Sequence, residues 1–267
     1  MKRSNRQQAS GQMHGQGQSR RFYQTVGISA GAPIATPGAA AHRAGERDRE
    51  GYRLLLDGKP LRTPAKGEFA VPTRALAEAI AAEWQAQGDD IDPHSLPLTR
   101  LANSAIDGVA GQQAQVRAEI VKYLASDLVC YRADAPSELV RRQAEAWDPI
   151  LHWCEQTLGF RLAVTQGVMP VAQPEAAGVL LEAWLKAHDA FALAALSVMT
   201  TLLGSAVLAV ARAQGRLDDA AAWMAAHIDE DFQAEKWGVD SLAKARRDRQ
   251  WGQMQAASRL LQLLAQD

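Results

Sequence analysis

The densest run of groups able to move a proton or hold a metal ion is His227-Ile228-Asp229-Glu230-Asp231. A metal-dependent hydrolase would be built on His227, Asp229 and Asp231, and this is the one enzymatic reading the chain offers. Its geometry is poor. Successive residues of a helix fan out by about 100°, so three adjacent acids do not share a face. His227 and Asp231 lie one turn apart, but two ligands do not complete a site. The other histidines, His14, His42, His94, His152 and His188, form no HExxH or similar pair. Cys130 and Cys154 match no metal or redox spacing and read as small buried hydrophobes. The chain has no glycine-rich phosphate loop and no GxSxG elbow. Gly204-Ser205 lies inside an apolar run, where a nucleophile would have no access to substrate. No catalytic residue, cofactor or metal is therefore expected, and a binding role is favoured over an enzyme.

The same residues read better as a surface for another protein. The three acids lie opposite a helical stripe of Met224, Ile228 and Phe232. Of the seven tryptophans, Trp84, Trp147, Trp153, Trp184, Trp223 and Trp251 follow helical stripes, as core residues do. Trp237 stands before Gly238 at a helix end, beside the acids, in the setting of a partner-binding patch. The expected partner-binding set is Asp229, Glu230, Asp231, Phe232 and Trp237.

The elements that must position these groups are legible in outline. From Ala190 to Ala211, twenty-two residues pass without a charge. A helix of that length is about 33 Å long, enough to cross a bilayer or to pierce a globular domain. The apolar content is mostly alanine, diluted by Ser197, Thr200, Thr201, Gly204 and Ser205. No Trp or Tyr flanks it. It is therefore read as one buried central helix, with no stable membrane insertion. Residues 217 to 236 read as a further helix. A last helix is capped by Asp240 or Ser241 and carries Leu242, Leu260, Leu261 and Leu264 on its apolar side.

Upstream, Phe22, Tyr23, Val26 and Ile28 suit a first strand over residues 21 to 29. Tyr52 to Leu56 suits a second, and Asp57-Gly58 a hairpin turn returning through Lys59 to Thr63. A helix follows with Thr73 as its cap and Leu76, Ile80 and Trp84 on one stripe. Asp148-Pro149 either kinks a helix or begins one. The expected class is α+β: a small β-rich N-terminal domain over residues 21–110, then a larger all-helical domain over 111–267 around the central helix. Residues 1–20, rich in Gln, Gly and Ser, read as a disordered tail. A net charge of −1 provides no global field for nucleic acid.

Eight pieces then occur in a fixed order: RRFY at 20–23, LDGKPLRTP at 56–64, FAVP at 69–72 and EWQAQ at 83–87; LTRLANSAID at 98–107, SDLVCYRAD at 126–134, AWDPILHW at 146–153 and FQAEKWG at 232–238. In these the chain resembles the ATP synthase F1 assembly chaperones that handle the alpha subunit. The resemblance implies a non-catalytic molecular chaperone that binds the free alpha subunit and shields its subunit interface until beta replaces it. It implies the same β-then-helical fold. It places the functional acid at Asp229 or Glu230 and makes Trp84 a residue that packs its helix onto the sheet. Acids follow Trp-Gly in that family, whereas this chain has Val239-Asp240. The compartment implied is the bacterial cytoplasm, or the mitochondrial matrix if the source is eukaryotic.

Overall fold

Turn chemistry and alternation build the N-terminal sheet. The computed structural model describes residues 19–33, 50–167, 169–238 and 240–266. Its strands begin with β1 (Ser19–Arg20), β2 (Val26–Pro33), β3 (Glu50–Leu56), β4 (Lys59–Pro60) and β5 (Ala70–Val71). β2 runs antiparallel to β3 with Val26 opposite Leu56, and β3 also pairs with β4 and β5. Asp57 and Gly58 both hold positive φ, 48° and 75°, as a hairpin of the right twist requires. β4 ends at Pro60, short of the return expected through Thr63. Of the strand expected over residues 21–29, only residues 26–29 are strand, as the start of β2, and β1 lies ahead of that span. The Asp57 carboxylate accepts the backbone N–H of Gln24 and Thr25 at 3.0 and 2.8 Å, which holds the chain out of the ladder between β1 and β2. Of the expected tail, residues 1–18 lie outside the described residues, whereas Ser19 and Arg20 pair with Ile91 and Asp90.

Helix α1 (Arg74–Gln85) starts as its cap predicts, with Thr73 Oγ1 accepting from Leu76 N–H at 3.2 Å. Leu76, Ile80 and Trp84 are buried on its sheet-facing side. The short strand β6 (Asp90–Ile91) precedes α2 (Pro97–Ser104), which widens into a π-turn over residues 105–109. Next come α3 (Gln113–Lys122), β7 (Tyr131–Arg132) and α4 (Ser137–Leu158). Pro149 lies inside α4, which runs through it as one helix. β8 (Thr165–Gln166) pairs parallel with β7. The order closes with α5 (Glu175–Leu185), α6 (Ala190–Leu203), α7 (Ala206–Ala213), α8 (Asp219–Ala226), α9 (Ile228–Trp237) and α10 (Ser241–Leu264).

Two expected helices are broken. The apolar run from Ala190 to Ala211 is α6 and α7, separated at Gly204, whose φ is +61°. Glycine ends a helix readily in this conformation, and Ser205 then caps α7 by accepting from Leu208 N–H at 3.0 Å. The buried Asp127 carboxylate secures the corner by accepting from Val207 N–H at 3.2 Å. α6 is nonetheless buried along most of its length and central, with α3, α7 and α10 packed on it. Among the described residues, no helix is long and apolar enough to cross a membrane. The stretch from 217 to 236 is likewise broken at His227, into α8 and α9.

One buried apolar cluster extends from Tyr23 and Leu54 in the sheet region, through α1 and α2, to α6 and α10. The last helix closes it. α10 packs along α6 and reaches α2 and α1, where the Thr73 hydroxyl donates to the Leu263 carbonyl at 3.0 Å.

Candidate functional site

The acidic cluster opens α9, so its three carboxylates sit near the positive end of the helix dipole. The geometry assigns each a different partner. Asp229 is half-buried, and its Oδ1 accepts from Gln143 Nε2 at 2.6 Å. Gln143, on α4, is only 1% exposed, and its own carbonyl accepts from Ala133 N–H at 2.8 Å. Asp231 is half-buried and paired with both terminal nitrogens of Arg247 from α10. Glu230 alone of the three is exposed, with no hydrogen bond or ion pair among the described residues.

His227 does not join them. It is 7% exposed, its Nδ1 lies 2.7 Å from the Trp223 carbonyl, and its ring stacks on Trp223 with centroids 4.0 Å apart. That leaves His227, Asp229 and Asp231 engaged in three directions. The hydrolase reading is therefore corrected: these side chains do not converge, and no group of three His, Cys, Asp or Glu placed to hold a metal occurs among the described residues. The cysteines are buried, and burial pushes both thiols up to about 12, far from the range of a reactive thiolate.

Phe232 also needs correction as a partner-contacting residue. It is 4% exposed, beneath Arg142 and Lys236, whose charged groups lie 5.4 and 4.2 Å from its ring centre. Arg142 in turn grips Glu138 and Glu235 at 2.7 and 2.8 Å. Phe232 thus fastens α9 to α4 from below. Trp237 stands 78% exposed at the end of α9. Glu230 and Trp237 are seven residues apart, close to two full turns, so they share the outward face of the helix.

Sequence reasoning missed Gln143 and Arg247, which set the acidic turn from other elements. Gln143 meets Asp229 across 86 positions, and no local pattern marks it. Leu242, expected on the apolar side of the last helix, is 78% exposed. It precedes the point at which α10 meets the core, and its mix of charged neighbours was the available signal. The remaining tryptophans sort as their stripes suggest: Trp84, Trp147 and Trp223 are buried, and Trp153, Trp184 and Trp251 pack partly exposed against the core.

Against known proteins, residues 20–155 match the family model described as ATP12 chaperone protein. The crystal structure of Atp12 from Paracoccus denitrificans is 42% identical, covers 92% of this chain and 98% of its own, and superposes with a TM-score of 0.82. The chain belongs to the ATP12 chaperone family. A variant of the Paracoccus protein with one aspartate replaced by lysine matches with the same figures. The Atu1473 protein of Agrobacterium tumefaciens is 41% identical over 92% of this chain and 86% of its own, again with a TM-score of 0.82. The mitochondrial atp12 protein of Schizosaccharomyces pombe is 25% identical over 197 residues, 69% of this chain and 68% of that protein. Family and fold thus agree with the resemblance in the eight pieces, and the chain is a chaperone of ATP synthase assembly. The family match ends at residue 155, so the α9 patch rests on its own geometry.

Proposed function

We propose that this chaperone binds the free alpha subunit of F1 and covers its subunit-facing flank until the beta subunit replaces it, without catalysing a reaction. The observation that carries the reading is the outward face of α9 in a member of this family. An unpaired carboxylate, Glu230, and an exposed indole, Trp237, stand on it while every other acid of the turn is tied inward. Aromatic side chains beside charge favour protein recognition. An unpartnered subunit of an alternating ring exposes an obligate interface, more apolar than ordinary surface, and a protein that masks it prevents aggregation. The bacterial and mitochondrial relatives support a bacterial cytoplasm or a mitochondrial matrix as the place of action.

Co-expression with the alpha subunit followed by affinity capture tests the reading. The alpha subunit should be retained, and beta alone should not. Glu230→Lys should lower capture roughly tenfold at moderate salt while leaving thermal melting unchanged. Absence of alpha subunit from the captured material would refute the proposal.

A further inference from the structure

Trp237 and Leu242 are the two most exposed large apolar side chains of the described residues, each 78% exposed. They flank one turn: Trp237 ends α9, Leu242 is second in α10, and Gly238 between them holds φ +85°. Asp240 caps α10, accepting from Ala243 N–H at 3.1 Å. Arg247 reaches back to Asp231, tying the two arms together six residues before Trp237 and five after Leu242. The result is a braced pair of helices with an exposed indole at the end of one arm and an exposed leucine at the start of the other.

The arms carry opposite charge. On α9 the outward acid is Glu230, about 10 Å along the helix from Trp237. On α10, Lys244, Arg246 and Arg249 are exposed, with Asp248 the one acid among them. Arg247 is already committed to Asp231, whereas Arg246 and Arg249 have no ion-pair partner among the described residues. Braced, exposed apolar groups between uncommitted charges of opposite sign describe a recognition surface: an apolar centre with a charged rim.

We propose that the α9–α10 elbow docks as a unit into the subunit-facing flank of the alpha subunit. Trp237 and Leu242 enter an apolar recess, Glu230 meets a basic side chain on one rim, and Arg246 and Arg249 meet acidic side chains on the other. This rests on the alpha-subunit reading above and adds the second arm and the charge order its partner must show. The acidic first turn of α9 is repelled by a polyanion, so the basic face of α10 does not suit nucleic acid or an anionic membrane. A protein surface bearing both signs satisfies both arms.

The test is binding of the full chain to purified alpha subunit, with association and dissociation rates measured at two salt concentrations. Trp237→Ala and Leu242→Ala should each weaken binding roughly thirtyfold, mainly through faster dissociation. Arg246→Glu combined with Arg249→Glu should slow association roughly tenfold and flatten its salt dependence. Met169→Ala, a control at a side chain 72% exposed elsewhere, should bind as the parent does. Parent-like binding by all the elbow variants would overturn the elbow while leaving alpha-subunit capture standing. Equal loss in the Met169 control, or a dimer of this chain that the elbow variants dissolve, would also overturn it. Failure of the parent itself to bind would refute the underlying reading instead.

Discussion

Glu230 and Asp229 are adjacent acids with opposite situations. Glu230 faces water, and Asp229 answers the buried amide of Gln143. From sequence alone, reversing both charges is expected to spare stability, because both look like a solvated face. With Asp229 half-buried against Gln143, that holds only for Glu230. Asp229→Lys should lower unfolding stability by about 1–3 kcal/mol, since it leaves a buried amide without its acceptor. Gln143→Leu should cost a similar amount, because Asp229 and Ala133 N–H both lose a partner. Urea unfolding of the three single variants checks this, with Glu230→Lys matching the parent. Trp84 makes a different case: its indole N–H donates to Thr99 Oγ1 at 3.1 Å and its ring meets Tyr23 edge-on at 5.5 Å. Trp84→Ala should destabilise by about 3–5 kcal/mol, and any alpha-subunit capture lost should return in proportion to the folded fraction.

At the scale of elements, the break between α6 and α7 matters most, because it turns one long apolar helix into a corner. Gly204 makes that corner at φ +61°, and nothing lies within 4 Å of where a Cβ would stand. Gly204→Ala therefore tests backbone conformation without a steric clash. It should cost about 1 kcal/mol and lower the melting temperature by about 2–4 °C, as followed by circular dichroism. A larger loss would mean that the turn has been rebuilt. The α8–α9 break works through a side chain instead: His227 folds back on Trp223, which frees α9 to aim its acids away from α8.

At the scale of the whole molecule, one carboxylate among the described residues is fully buried, that of Asp127. It accepts N–H groups from Val129 and Val207 at 3.4 and 3.2 Å, joining the turn after α3 to the start of α7. Burial, the dominant cause, pushes its pKa from 3.8 up to about 6 against these hydrogen bonds. A raised carboxylate binds more protons folded than unfolded between those two values. Global stability on its account therefore declines as pH rises from about 4 to about 6, by about 3 kcal/mol, and is level above that. Asp127→Asn removes this dependence. Parent and variant stabilities, measured by urea unfolding across pH 4 to 7, should diverge by that amount through the window, the parent losing ground. A constant difference at every pH would show that Asp127 does not titrate there.

By itself the sequence determined what depends on neighbours along the chain. The Asp57-Gly58 hairpin, the Thr73 cap, a cap at Asp240 or Ser241, the Leu76–Ile80–Trp84 stripe and the eight ordered pieces rest on local sterics, hydrogen bonding or order, and each is readable a few residues at a time. The chain's membership of its family was legible in the same way. Tertiary structure alone decided which acid stays free, because the partners of Asp229 and Asp231 lie on α4 and α10. It also decided that Phe232 lies beneath the patch and that Leu242 stands outside the core, since burial is set by what other elements bring to a position. Periodicity reports which side of a helix is apolar, but it does not report where along that side the neighbouring helix ends.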